Sequence, residues 1–139
     1  MAFETHERDG LVFLTSSLLP VPHAFSTRLG GVSPAPWDSL NLRPGMGDGA
    51  EALRENYRRF CGAAGVDMDR LVLSRQVHET TVRLCTAADA GKGLDRERDY
   101  TADGLITGEK NLPLAVFSAA CGVILLHYPV TGAVGGVHA

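Results

Sequence analysis

The sequence predicts an α/β fold of the mixed α+β kind, in which mixed β-sheets are flanked by helices. Two observations support this class. Short apolar, β-branched segments bounded by turn residues recur along the chain and are typical of strands. One segment in the N-terminal half instead repeats its apolar residues at helical spacing. A chain of 139 residues suits one domain, so residues 1–139 are interpreted as a single domain.

The N-terminal strands are predicted at residues 11–15 and 23–27, with a Ser/Pro turn between them. His23 opens the second strand, whereas His6 lies in a terminus that we expect to be disordered. Residues 28–47 are dense in Gly and Pro and are predicted to form a long loop. Loops of this length are uncommon in compact domains and often functional.

A helix is predicted after this loop. Asp48 suits the N-cap, and Glu51 follows at capping-box spacing. One face carries apolar residues at i, i+4, i+7 and i+8, namely Leu53, Tyr57, Phe60 and Cys61. Gly62 or Gly65 is expected to end the helix.

The C-terminal half is predicted to be rich in strands. Strands at residues 71–74 and 81–84 flank Gln76-Val77-His78, and polar residues 87–99 are expected to form a mobile loop. Three apolar segments follow, at residues 104–107, 114–119 and 123–127. The turn at residues 128–132 then leads into a last strand at residues 133–138, which ends on a histidine.

Composition excludes several classes of function. The chain is 45% hydrophobic and 21% charged, with a net charge of −3 and no basic stripe, so we expect no nucleic-acid partner. Its longest apolar run, residues 112–126, is interrupted by Pro, Ser and Gly, so we expect no membrane span. Three widely spaced cysteines do not make a disulfide framework and favour a reduced, cytoplasmic protein.

The residues that could carry chemistry are Cys121, His78 and His138. One thiolate and two imidazoles suit Zn²⁺ and would leave a fourth position for water. The same residues could instead form a Cys–His nucleophile pair. Cys121 could also be an inert core thiol, and His78 a histidine at the edge of a strand. Cys61 and Cys85 are predicted to pack in the core.

Arg28 is the charged residue that most suggests a ligand. It precedes Gly30-Gly31, where the backbone can approach a ligand closely, and its guanidinium could hold phosphate or carboxylate. A solvated loop arginine is the favoured alternative on spacing alone. Asn41 and Asn56 are interpreted as polar anchors of the loop, and Asp103 as a cap for the strand that begins at Gly104.

Several motifs, taken in order, resemble the YfiH/laccase-domain family, also called the polyphenol oxidoreductase or peptidoglycan-editing-factor family. The resemblance runs from His23 to the last residue. Because several motifs occur in the order found in the family, the resemblance is more specific than any single motif. The motifs are residues 23–33 (HAFSTRLGGVS), 39–42 (SLNL), Gly47-Asp48 with Glu55-Asn56, 76–78 (QVH), 102–107 (ADGLIT), Cys121 and 132–139 (GAVGGVHA).

The resemblance implies a fold related to toxin-type cysteine hydrolases and a zinc site formed by His78, Cys121 and His138, which would also be the catalytic residues. Copper is the alternative metal, through the older laccase label. It further implies purine nucleoside phosphorolysis and adenosine deamination, with phosphate and a purine nucleoside as small-molecule partners. The candidates for substrate binding are Arg28, Asn41 and Gln76. Polyphenol oxidation and the editing of peptidoglycan precursors are the other activities associated with the family.

Two departures from the family pattern affect these expectations. The family places Asp before the cysteine, whereas this chain has Ala120, so catalysis is expected to suffer more than metal binding. The family also continues with Gly-Trp-Arg-Gly after the motif that ends at Ala139. The chain is therefore interpreted as the N-terminal part of such a domain. The alternative is a truncated or inactive member with a residual binding role.

Overall fold

A computed structural model describes residues 2–139. The chain divides between Met68 and Asp69 into two compact units. Each unit contains one β-sheet, and the first also carries the α-helix of the described residues. This arrangement confirms the mixed α and β class. The interpretation of the chain as a single domain stays a prediction. Within residues 2–139, no helix has both the length and the apolar character that crossing a membrane requires.

The sheet of the first unit contains β1 (Phe3–Arg8), β2 (Leu11–Ser16) and β3 (Phe25–Ser26), all antiparallel. The expected disorder at the N-terminus is wrong, because β1 pairs with β2 along its whole length. The turn Asp9-Gly10 has positive φ at both residues, as a two-residue type I′ hairpin requires. Asp-Gly pairs favour this turn type.

Asn56 anchors the long loop between β3 and the helix, as the sequence predicted. Its side chain is fully buried and accepts a hydrogen bond from the Val32 N–H at 2.9 Å. Its amide group donates to Ser33 Oγ and to the Asn41 carbonyl, both at 2.8 Å. Only glycine fits at position 31, because a Cβ there would lie 2.1 Å from the Ser39 carbonyl oxygen.

The helix α1 (Ala50–Ala64) begins one residue later than an Asp48 cap would place it. Asp48 is not the N-cap, because its carboxylate instead accepts hydrogen bonds from the Ser33 hydroxyl and the Asn41 amide. Gly49 takes the cap position without a side-chain bond. Gly65 ends the helix in the left-handed conformation, with φ of 77°. Cys61 is buried on its inner face, as predicted.

The sheet of the second unit has the order β4-β5-β7-β6. Its strands are β4 (Val82–Leu84), β5 (Gly104–Thr107), β6 (Val123–Tyr128) and β7 (Ala133–His138). β4 and β5 are parallel, and the other pairs are antiparallel. The predicted bounds of β5 and β7 are confirmed. Residues 71–74 are buried but form only an isolated bridge, Val72 with Leu114, so the strand predicted there is wrong.

Residues 87–99 have defined structure, contrary to the mobile loop that their polarity predicted. They begin with a 3₁₀ turn (Ala87–Asp89), and Asp89 is only 3% exposed. Its carboxylate lies 2.8 Å from the Arg83 guanidinium and 3.0 Å from Lys92 Nζ. Polarity predicts a mobile loop when the polar side chains face water, but here Lys92 and the preceding Arg83 pair with the buried Asp89 carboxylate. Cys85 lies in the adjacent core, as predicted.

One face of the second sheet remains apolar and open. The strand register places the side chains of β4, β5 and β6 on this face at alternate positions. The exposed large side chains are Val82, Leu84, Ile106, Ile124, Leu126 and Tyr128. The opposite face supplies Leu105, which is fully buried in the core.

Candidate metal centre

Strand pairing at one end of the second sheet brings three distant segments together. His138 is the last residue of β7 and pairs with Val123, the first residue of β6. Cys121 lies in the turn immediately before β6, and His78 lies in the segment before β4. Because β4, β5 and β7 are neighbours in the sheet, the beginnings of β4 and β6 meet the end of β7.

The three predicted ligands form one cluster. Their candidate ligand atoms all lie within 4.8 Å of one another. The rings of His78 and His138 meet edge to face, with centroids 5.0 Å apart. His78 and Cys121 are exposed, whereas the His138 side chain is only 7% exposed. Cys121 is therefore not an inert core thiol, unlike Cys61 and Cys85.

Asp103 lies directly behind the cluster and is 2% exposed. Its carboxylate accepts hydrogen bonds from the backbone N–H groups of Val77, His78 and Glu79, at 2.9, 3.0 and 3.2 Å. The same carboxylate lies 2.9 Å from Nδ1 of His138. Asp103 is thus bonded to the backbone of one histidine and to the ring of the other.

These contacts keep Asp103 ionised. Burial alone would raise the pKa of its carboxyl, but the backbone N–H of Val77, the ring of His138 and the other N–H groups lower that pKa to about 2. Successive N–H groups that converge on an anion form a backbone nest. His78 adopts a positive φ of 60°, which is unusual for a residue with a side chain. The Asp103 carboxylate stabilises the loop in this conformation.

Gln76 holds the segment that leads to Cys121. Its Oε1 accepts a hydrogen bond from the Phe117 N–H at 2.6 Å, and its Nε2 donates to the Phe117 carbonyl at 2.9 Å. The Ser118 hydroxyl then donates to the Cys121 carbonyl. The Gln76 side chain therefore bonds to the main chain of Phe117 in this structure, and its predicted contact with substrate stays a prediction.

The other two predicted substrate residues lie in the first unit. Arg28 forms an exposed ion pair with Asp38 at 3.0 Å, and its own side chain is 74% exposed. Asn41 donates from its amide to Asp48 at 3.1 Å, and its backbone carbonyl accepts from Asn56. Asn41 is therefore a loop anchor, as the sequence suggested. Its role and that of Arg28 towards a substrate stay predictions.

The donor set fits a borderline transition-metal ion. Thiolate sulfur and imidazole nitrogen are the ligands that zinc prefers, and catalytic zinc sites commonly have three protein ligands and one open position. Tetrahedral zinc with bonds of about 2.0–2.3 Å places its ligands roughly 3.5 Å apart. Side chains within 4.8 Å of one another approach that separation. Solvent reaches the cluster on the side of His78 and Cys121.

The role of Asp103 is the feature that sequence reasoning missed. The sequence predicted a strand cap, because Asp103 precedes Gly104 at the start of β5. A signal was available, since an acidic residue one position before a buried strand is costly unless it is paired. Its partners could not be named from the sequence, because they lie 24 to 35 residues away along the chain.

Comparison with known proteins places the chain in a family. Residues 22–139 match the family model described as multi-copper polyphenol oxidoreductase laccase. A purine nucleoside phosphorylase from Corynebacterium glutamicum is 36% identical over 120 residues, which are 86% of this chain and 47% of that protein. A purine nucleoside phosphorylase from Deinococcus radiodurans is 35% identical over 130 residues, which are 94% of this chain and 47% of that protein.

Solved structures agree with the sequence relatives. The Bacillus licheniformis hypothetical protein YfiH superposes with a TM-score of 0.86 at 27% identity, over 97% of this chain and 51% of that one. YlmD from Geobacillus stearothermophilus superposes with a TM-score of 0.84 at 29% identity, over 99% and 52%. The chain spans about half the length of the relatives that it matches. The match from residue 22 to residue 139 shows that the protein belongs to the laccase-domain family, whose model is described as multi-copper polyphenol oxidoreductase laccase.

Proposed function

We propose that this chain carries the metal-binding part of a zinc-dependent purine nucleoside phosphorylase. The observation behind the proposal is that His78, Cys121 and His138 meet within 4.8 Å. Curated relatives at 35–36% identity are named purine nucleoside phosphorylases. The three residues would hold the metal, which when bound supplies a Lewis acid beside the substrate.

The cluster has one open side and one fixed side. His78 and Cys121 are exposed, so a nucleoside can approach from solvent on their side. His138 is buried and bonded to Asp103, so its ring is held in place before any ligand arrives. Preorganised groups of this kind lower the cost of binding a transition state.

Arg28 is the proposed phosphate contact. Its guanidinium is 74% exposed and bonded only at the surface to Asp38, whose side chain is 50% exposed. Surface ion pairs contribute little free energy, so the guanidinium could exchange this partner at small cost. Arginine binds phosphate with two parallel hydrogen bonds, which suits this role. Asn41 and Gln76 are included in the proposal as further substrate contacts.

Adenosine deamination is proposed as a second reaction of the same site. It would use the same three metal ligands. Ala120 stands where the family has an acidic residue, so the chain lacks one carboxylate next to Cys121. We therefore expect deamination, which needs proton transfers to the purine, to be slower than in relatives that keep the acid. Three free thiols are in keeping with a reduced, cytoplasmic setting for these reactions.

The direct test is phosphorolysis by the zinc-loaded chain. Inosine and phosphate are mixed with the protein, and hypoxanthine and ribose 1-phosphate are quantified together. Equal amounts of both products are expected, with loss of turnover and of bound zinc in Cys121→Ser. Cys61→Ser, a thiol in the other unit, is the matched control and should retain both. Zinc binding without either product would favour the alternative of a family member with only a residual binding role.

Two further alternatives predict different observations. A copper-dependent polyphenol oxidase would consume dioxygen with a phenol when loaded with copper. One cluster of three ligands is found among residues 2–139, and the multi-copper description implies more metal than it can hold. A hydrolase with a Cys121 nucleophile, in line with the predicted kinship to toxin-type cysteine hydrolases, would act without metal. It would be inactivated by alkylation of the thiol in the presence of a chelator.

A further inference from the structure

We propose that Asp103 is a positioning residue that sets both histidine ligands of the metal cluster, fixing the tautomer of His138 through its ring and the placement of His78 through its backbone. This inference rests on the proposed metal site. It adds a residue that does not itself contact the metal or the substrate.

The argument for His138 follows from hydrogen-bond chemistry. An ionised carboxylate can only accept hydrogen bonds. Because Asp103 lies 2.9 Å from Nδ1 of His138, that nitrogen must carry the proton. In the neutral ring the other nitrogen, Nε2, then holds the free lone pair. Nε2 is thereby the atom available to a metal, and a histidine bonded to a carboxylate in this way is also a more basic ligand.

The backbone at His138 supports the same orientation. The His138 N–H donates to the Asp103 carbonyl at 2.7 Å, so the two residues are joined by main chain as well as by side chain. Gly104 pairs with Val137 at the adjacent position of the β5–β7 ladder. The ring of His138 is therefore held between a strand end and a buried carboxylate, and its side chain is only 7% exposed.

The argument for His78 follows from the loop that carries it. Three successive N–H groups, from Val77 to Glu79, converge on the two carboxylate oxygens of Asp103. This convergence holds His78 at a φ of 60°, a conformation that costs free energy for a non-glycine residue. Without the anion, the three N–H dipoles would repel one another and the loop would relax. His78 would then move relative to His138, whose ring centroid lies 5.0 Å away.

Asp103→Asn separates positioning from mere packing. Asparagine has nearly the same shape, but its amide can donate a hydrogen bond to Nδ1 of His138. That bond would favour the opposite tautomer, with the proton on Nε2, where it blocks the metal. The N–H groups of residues 77–79 would also lose the negative charge to which they donate. We therefore expect zinc affinity to fall about 10–100-fold, as for other losses of a group that orients a metal ligand.

Asp89→Asn is the matched control. Asp89 is another buried aspartate of the same unit, and it pairs with Arg83 and Lys92 outside the cluster. Its substitution should lower the unfolding temperature without changing zinc affinity. The two variants together distinguish a general loss of stability from a specific loss at the metal site.

The experiment has two readouts. Zinc dissociation constants of the wild type and both variants are measured by competition with a chromophoric chelator. The His138 tautomer of the metal-free wild type is read from ¹⁵N–¹H couplings under conditions where its imidazole is neutral. We expect the Nδ1–H tautomer, and a loss of affinity in Asp103→Asn alone.

The outcomes decide separately on the two proposals. A wild-type His138 protonated at Nε2, or zinc binding by Asp103→Asn within twofold of wild type, would overturn the positioning role. If Asp103→Asn fails to fold, the tautomer of the wild type still decides. If the wild type binds no zinc, the proposed function fails, while the tautomer measurement continues to test Asp103.

Discussion

Two buried aspartates of the second unit have similar exposure but different partners. Asp89 is 3% exposed and Asp103 is 2% exposed, and the pKa of each carboxyl is lowered to about 2. Burial opposes this shift in both. Asp89 overcomes it chiefly through the Arg83 guanidinium, with Thr86 N–H and Lys92 in support. Asp103 overcomes it through backbone N–H groups and the ring of His138.

The difference in partners shows what each buried carboxylate contributes to the structure. The carboxylate of Asp89 lies against two full positive charges, so its field is largely cancelled within a closed cluster. The carboxylate of Asp103 lies against dipoles and an imidazole, and the imidazole belongs to an open group of potential metal ligands. The first arrangement stabilises residues 87–99, whereas the second orients one ring of the candidate metal cluster.

The largest expected effect separates the thiol at the metal cluster from a thiol in the core. Cys121→Ser should reduce zinc affinity by more than the roughly 10–100-fold typical of losing a group behind the ligands. It should leave the unfolding temperature of the metal-free chain unchanged, because Cys121 is exposed. Cys85→Ser should do the reverse. A hydroxyl placed at a position 1% exposed costs about 1–3 kcal/mol if unsatisfied. Chelator competition and urea unfolding measure the two effects, and equal zinc affinity in both variants would contradict the proposed ligand set.

The next effect tests the closed cluster directly. Asp89→Ala should lower the free energy of unfolding by about 2–3 kcal/mol. A fully buried pair loses roughly 3–5 kcal/mol, but Arg83 retains 34% exposure and can be solvated. Urea unfolding of the zinc-free chain provides the measurement. A change below about 0.5 kcal/mol would place Asp89 among ordinary surface residues, contrary to its burial.

The pH dependence of this cluster follows from the lowered pKa of Asp89. A carboxyl with a folded-state pKa of about 2 and an unfolded value near 3.9 contributes stability above the unfolded pKa. That contribution is lost as pH falls from about 4 towards 2. We therefore expect the difference in unfolding free energy between wild type and Asp89→Asn to be constant above about pH 5 and to shrink below pH 4. A difference that does not vary down to pH 2 would contradict the assignment.

A smaller effect concerns the third ligand, which Asp103 does not contact in the described structure. Gln76→Ala removes both hydrogen bonds to Phe117 and should loosen the segment before Cys121. Zinc affinity is expected to fall about tenfold, the lower end of the range for groups that orient ligands. Gln76→Glu keeps an acceptor for the Phe117 N–H but turns its second carboxylate oxygen toward the Phe117 carbonyl, so it should also lose zinc affinity. Unchanged zinc affinity together with a raised KM for inosine would favour the predicted contact with substrate instead.

Much of the strand arrangement could be predicted because it depends on local signals. β5 and β7 have the predicted bounds, since each is an apolar run between turn residues. The N-cap of α1 could not be predicted in this way. Asp48 has the right residue type and spacing, but Ser33 and Asn41 of the long loop bind its carboxylate instead. Local propensity was overridden by partners distant in the sequence.

The candidate site divides in the same manner. Cys121, His78 and His138 could be selected by residue type and by the resemblance, and they do form one cluster. Asp103 could not be assigned its role, because its partners at residues 77–79 and 138 belong to different segments. The structure of residues 87–99 could not be predicted for the same reason, since Arg83 and Lys92 contact Asp89 only after folding.

The sequence by itself determined which residues could bind a metal and which segments form most of the strands, because side-chain chemistry and apolar periodicity are local properties. Only the tertiary structure decided which buried carboxylate pairs with cationic side chains and which contacts the candidate metal ligands. That distinction depends on what surrounds each carboxylate, and the surroundings of Asp89 and Asp103 are assembled by the 3₁₀ turn at Ala87–Asp89 and by the strand pairing of β5 with β7.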